Sequence, residues 1–130
     1  MTLHMDNLAP SHVIKLDEER AELYFATKGF FTPEAMEAFL KEMVGTAMPL
    51  IDRGRTVDVI GDLTEFVPQD RPTSGSIRNS LLEGAGNGLG KFAVVSSSPL
   101  VRMQYRRITE GVNVEFFDDV ASARRWIRGS

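Results

Sequence analysis

Two sites along this chain put a capping residue directly before proline, and a third opens on proline followed by two hydroxyl residues. Thr32-Pro33-Glu34 and Ser98-Pro99 are the first kind, Pro72-Thr73-Ser74 the second. A hydroxyl before the first turn accepts from an otherwise unpaired amide. Proline suits the first helical position because its missing N–H would go unpaired there anyway. Three helices are thereby placed. After the first start, Met36, Leu40, Met43, Ala47 and Leu50 recur at intervals of three and four, with Phe39 alongside. That spacing makes one buried helical face, which ends by Gly54. Ile77, Leu81 and Ala85 stripe the second helix, and Val101, Tyr105 and Ile108 the third, which Gly111 ends. Asp118 reads as the cap of a fourth, with Val120, Ala123 and Ile127 facing inward.

The segments between these helices read as strands. They are His12 to Asp17, Ala21 to Thr27, Thr56 to Leu63, Lys91 to Ser96 and Val112 to Phe117. Asp17-Glu18-Glu19-Arg20 joins the first two as a hairpin turn. The run Phe92-Ala93-Val94-Val95 suits a strand covered on both faces. The order is then β-β-α-β-α-β-α-β-α. It predicts a mostly parallel sheet with right-handed crossovers and one antiparallel strand at an edge.

The chain has 130 residues, the length of one domain. Residues 12–130 are expected to form it, behind a loose N-terminal segment, residues 1–11. A net charge of −3 sets the chain against nucleic acid, whose binders usually carry a basic face. The absence of cysteine excludes disulfides, thiolate zinc sites and cysteine nucleophiles. Nothing near the N-terminus resembles a signal peptide. No run approaches the ~18 apolar residues of a membrane span. A cytoplasmic protein is expected.

Three strings resemble STAS domains, the SpoIIAA-like group typified by bacterial anti-sigma-factor antagonists. They are Val57-Asp58-Val59-Ile60-Gly61-Asp62-Leu63, then Gly90-Lys91-Phe92-Ala93-Val94-Val95, then Phe116-Phe117-Asp118-Asp119 followed by Ala121, Ala123, Trp126 and Ile127. The resemblance runs from about Val13 to Ile127. It implies an α/β fold with a mostly parallel four- to five-stranded sheet, an N-terminal hairpin and about four helices. It also implies a non-enzymatic regulatory or protein-interaction module. Antagonists of this group carry a phosphorylatable serine in an Asp-Ser-Ser-Gly-like motif. Here the matching stretch is Asp70-Arg71-Pro72-Thr73-Ser74-Gly75. Thr73-Ser74-Gly75 agrees in type and place, but Asp70 is displaced by two residues and the preceding loop is longer.

Ser74, with Thr73, is therefore the candidate phosphorylation site, and Arg78 stands four residues on as a partner for the phosphate. A plain helix cap explains the same hydroxyls. Asp62 closes a strand at the end where open parallel sheets bind ligands. An Asx-type turn, with the carboxylate satisfying loop amides, is the simpler account of it. Asp62, Thr64, Asp70, Thr73, Ser74 and Arg78 together are the expected partner or ligand surface. The glycine run Gly84 to Gly90 closes a helix and precedes a strand, the reverse of a dinucleotide loop, so no cofactor is expected. His4 and His12 lack metal-ligand spacing. No Gly-x-Ser-x-Gly elbow or other catalytic set occurs. Two basic groups, Arg102 with Arg106 and Arg107, and Arg124 with Arg125 and Arg128, are either solvated faces or an anionic docking patch. Met36, Met43 and Met48, with Phe30, Phe31 and Phe39, either pack the core or line a groove. The alternative function is thus a small apolar ligand or lipid-binding protein with its pocket between the first helix and the sheet. A homodimer is compatible with the pattern, though no heptad specifies one.

Overall fold

The computed structural model describes residues 8–129. The expected loose segment at residues 1–11 lies mostly outside them. Where it is described, the Leu8 carbonyl accepts from the Phe30 amide at 2.9 Å. The elements are β1 (Ser11–Asp17), β2 (Glu22–Gly29), α1 (Pro33–Asp52), β3 (Val57–Phe66), α2 (Arg71–Gly86), β4 (Leu89–Val95), α3 (Pro99–Ile108), β5 (Val114–Phe117) and α4 (Val120–Ile127). The five strands form one mixed sheet in chain order, β1-β2-β3-β4-β5. The edge strand β1 runs antiparallel to β2, and the other pairings are parallel.

Strand alternation divides the core in two. On the first face, Leu23, Phe25, Val57, Val59, Phe92 and Val94 pack under α1, α2 and α3 through Met36, Phe39, Ile77, Val101 and Tyr105. On the second, Ile60, Ala93 and Val95 meet Ala123 and Ile127 of α4. β4 is buried on both faces from Phe92 to Val95, as its unbroken apolar run requires. Gly61 is what lets two aromatics cross the first face of β3. A Cβ there would stand 2.6 Å from the Phe25 ring and 3.1 Å from that of Phe92.

Thr32 and Ser98 cap α1 and α3 through their side chains, with proline next. The other two caps differ from the sequence reading by a few residues. Asp70 caps α2 by accepting from the Thr73 amide, so the helix opens at Arg71. Asp119 rather than Asp118 caps α4, because Asp118 instead accepts from the Arg102 guanidinium at 2.7 Å. Of the Phe30-Phe31 pair, Phe31 is 1% exposed and belongs to the core, while Phe30 is 40% exposed.

Candidate functional site

The residues singled out from sequence fall into two separate groups. Asp62 and Thr64 stand in the C-terminal half of β3, on the second face. The Asp62 carboxylate accepts from the Thr64 hydroxyl, from its amide at 3.1 Å, and from the Tyr24 hydroxyl at 2.7 Å. Burial pushes the Asp62 carboxyl up, but the hydrogen bonds from Thr64 and Tyr24 outweigh it and hold the group below the usual range. Tyr24 is pushed up to about 12, first by burial and then by the neighbouring carboxylate, with Arg124 opposing. The bond to the Thr64 amide is an Asx-type arrangement within the strand end.

Asp70 caps α2, and Thr73, Ser74 and Arg78 lie on it. Thr73 is fully buried, and its hydroxyl faces the Phe31 carbonyl at 3.5 Å. The Ser74 hydroxyl is also buried and has no hydrogen-bond partner among the described residues. The Arg78 guanidinium does not reach back toward Ser74. It donates to the carbonyls of Arg107, Ile108 and Glu110, closing the C-terminal end of α3. The set does not converge on a shared cleft.

The large concavity lies elsewhere, on the first face. A cavity of about 710 Å³ opens between α1, α2 and the sheet. Leu23, Phe25, Val57, Val59 and Phe92 form its floor. Met36, Phe39, Leu40, Met43, Val44, Ala47 and Met48 line it from α1, and Ile77, Ser80, Leu81 and Gly84 from α2. Small residues line it among the large ones: Ala47 on α1, Ser80 and Gly84 on α2, and Gly88 before β4. Gly88 has a left-handed φ of 112°, and a Cβ there would meet Ile51 at 2.9 Å. Val44 and Met48 are half-exposed at its rim.

The polar lining is uneven. The charged residues Asp52, Arg55 and Glu83 are all exposed and sit where β3 begins and the two helices end. At the other end stand Thr27, 2% exposed, and Tyr105, 3% exposed. The Thr27 hydroxyl has no partner among the described residues. Burial alone raises the Tyr105 hydroxyl well above its ordinary value, so it stays neutral.

Of the suspected groove residues, Met36, Met43, Met48 and Phe39 do line the cavity, whereas Phe31 is core. Thr27 was missed. Its signal was present, since it continues the every-second-residue series Leu23, Phe25, Thr27 on the buried side of β2. Among the described residues, no group of three or more metal-ligating side chains comes together. No described helix is long and apolar enough to cross a membrane.

No protein-family model matches the sequence, and no curated protein matches it. Solved structures do. One is an uncharacterized protein of the DUF3478 family with a SpoIIAA-like fold from Shewanella loihica PV-4. It superposes with a TM-score of 0.70 at 16% identity, over 92% of this chain and 95% of that one. Another is an anti-sigma factor antagonist from Mycobacterium paratuberculosis, with a TM-score of 0.67 at 9% identity over the same shares. Agreement over nearly the whole length of both chains, at identities this low, is agreement of architecture, and the chain has the SpoIIAA-like, STAS-type fold.

Proposed function

We propose that this domain is a binding protein for a small apolar molecule, held in the cavity between α1, α2 and the sheet. One observation carries the reading: about 710 Å³ of space under two helices, walled mainly by aliphatic, methionine and phenylalanine side chains. Ligand sites are commonly concave and largely apolar, within a range of roughly 300–1,000 Å³. A cavity so large would be costly if it served nothing, because its lining forgoes packing contacts. Binding rather than catalysis fits its interior, where the polar groups are hydroxyls and burial keeps that of Tyr105 protonated.

The test is occupancy. N-phenylnaphthylamine, a neutral dye that brightens in apolar surroundings, should bind the wild-type protein with about one equivalent. Ala47→Trp places an indole in the cavity from α1 and should abolish that binding, with the circular dichroism spectrum unchanged. Equal dye binding by both proteins rejects the cavity as the site.

A second reading makes the domain a cytoplasmic regulatory module that binds a protein partner and is switched by phosphate on Ser74, or on Thr73. It is supported by the architecture shared with an anti-sigma factor antagonist and by the place of Ser74 in the first turn of α2. The favoured contact surface then runs from Asp62 and Thr64 through Asp70 to Arg78. Because the Ser74 hydroxyl is buried, phosphorylation requires that first turn to open. Ser74→Asp should weaken binding to an isolated protein partner while the domain stays folded. Equal affinities reject the switch.

A further inference from the structure

The cavity's two ends differ in a way that specifies its occupant. Resting on the reading that the cavity binds an apolar molecule, we propose that the ligand is a linear aliphatic carrying an uncharged polar group, an alcohol or a carbonyl, and that this group enters first and bonds to Thr27 and Tyr105.

The geometry runs as follows. Phe66 ends β3 and pairs in register with Gly29, two residues on from Thr27. Its ring meets Tyr105 edge-on at 6.1 Å. Thr27 and Tyr105 therefore share the end of the cavity beneath the C-terminal ends of β2 and β3. The nine residue steps from Val57 to Phe66 span about 30 Å at the usual rise, so the cavity is long in the strand direction. An elongated chain matches that shape better than a compact ring system.

The inner end asks for a hydrogen-bonding group. Leaving a buried hydroxyl unpaired is unfavourable, and Thr27 has no partner among the described residues. Thr27 lines the cavity, and rotation about its χ1 bond would turn the hydroxyl toward a ligand hydroxyl or carbonyl there. An anion would not be accommodated there. Every charged lining residue, Asp52, Arg55 and Glu83, lies at the opposite, exposed end. A carboxylate or phosphate taken inside would lose its hydration with no cation to replace it. Nor does the mouth favour an anionic head pointing outward. The Arg55 guanidinium there already donates to the carbonyls of Glu18 and Glu19, and Asp52 and Glu83 outnumber it.

Displacement of N-phenylnaphthylamine by decanol and by decanoate tests this in the full chain, at mildly alkaline pH where decanoate is ionised. Decanol should compete at least about tenfold better, given the cost of burying a charge. Thr27→Val should weaken decanol by about three- to tenfold, the worth of one hydrogen bond, with the dye's own affinity measured separately in each variant. Without ligand, Thr27→Val should melt no lower than wild type, since its hydroxyl is unpaired. Thr27→Ser, which keeps the hydroxyl, should retain decanol affinity, and Tyr105→Phe should weaken it. Decanoate binding as tightly as decanol would place the head at the mouth and overturn the proposal. So would undiminished decanol affinity in both Thr27→Val and Tyr105→Phe. If the wild-type protein takes up neither dye nor decanol, the cavity reading itself fails. If it takes up the dye but does not discriminate, only the inference about the polar group fails.

Discussion

The two faces of this sheet are packed on opposite principles. The second face is covered by α4, eight residues long, and its centre is small side chains pressed together: Ala93 and Ala123 are fully buried, with Ile60 and Val95 beside them. The first face has three helices and most of the large aromatics, among them Phe25, Phe31, Phe39, Phe66, Phe92 and Tyr105. Yet this richer face contains the cavity. Large side chains at its edges, with alanine, serine and glycine between them, hold the helices over the sheet without filling the space beneath. Close packing on one side of a sheet can therefore coexist with room for a ligand on the other. The close-packed side keeps the strands in register, while the open side is available for binding.

Truncation should break this comparison most visibly. Ile60→Ala removes three carbons from a site with no exposure at all, and should cost about 2–5 kcal/mol. Met43→Ala deletes a side chain of similar volume from the cavity wall. One side of that side chain already lacks protein neighbours, so its loss should cost under about 1.5 kcal/mol, well below the usual core range. Urea denaturation of the two variants beside wild type measures the difference. Equal losses would mean that the first face is as tightly packed as the second, with no usable space in it.

Enlargement should sharpen the contrast with the opposite sign. Ala123→Leu forces a larger side chain against Ile60 and Ala93 and should cost about 1–3 kcal/mol by overpacking. Ala47→Leu adds the same atoms within the cavity and should be neutral or stabilising by about 0.5–2 kcal/mol. Thermal melts of both variants provide the check. A destabilising Ala47→Leu would show that the helix cannot accept volume at that position.

Much of this architecture was legible in the sequence, and so was the place of the cavity as one of two alternatives, but not whether the space there stays open, for a definite reason. Caps and periodicity are local. Thr32-Pro33 and Ser98-Pro99 announce their helices within a few residues, and the alternation of β2 is visible from Leu23 to Thr27. The error at Asp118 is of the same local kind, since either of two adjacent aspartates can cap and only the distant Arg102 decides between them. The partner surface from Asp62 to Arg78 rests on the strand-end position of Asp62 and on the resemblance around Ser74. The fold puts Asp62 on the second face beside Tyr24 and turns Arg78 toward the end of α3, two facts that no local motif carries. The apolar stripe of α1 marked it as buried, but a stripe does not say whether the helix above the sheet touches it closely. That depends on how Ala47 of α1 and Ser80 and Gly84 of α2 come to line one space, and no window of one helix contains all three.

The smallest predicted effect concerns Tyr24 and Asp62, the polar pair at the rim of the closely packed face. Burial and the adjacent carboxylate raise the tyrosine from 10.0 to about 12, so the folded state favours its protonated form. The resulting stability is full below pH 10.0 and is lost as pH rises through about 12. Asp62 behaves in the opposite sense. Its folded value lies below 3.8, so its contribution is present above 3.8 and disappears as pH falls through the lowered folded value. Tyr24→Phe tests both limbs at once. On the alkaline side both curves should fall above pH 10.0, because burial raises Tyr105 as well, but the wild-type curve should fall more steeply between 10.0 and about 12. On the acid side the variant's drop should be smaller and finish at a higher pH than the wild type's, because Asp62 then keeps the hydrogen bonds from Thr64 but not the one from Tyr24. Urea midpoints of the two proteins across the pH range supply the measurement. Parallel curves would mean that water, rather than the tyrosine, satisfies the carboxylate, and that the rim of the second face is looser than its centre.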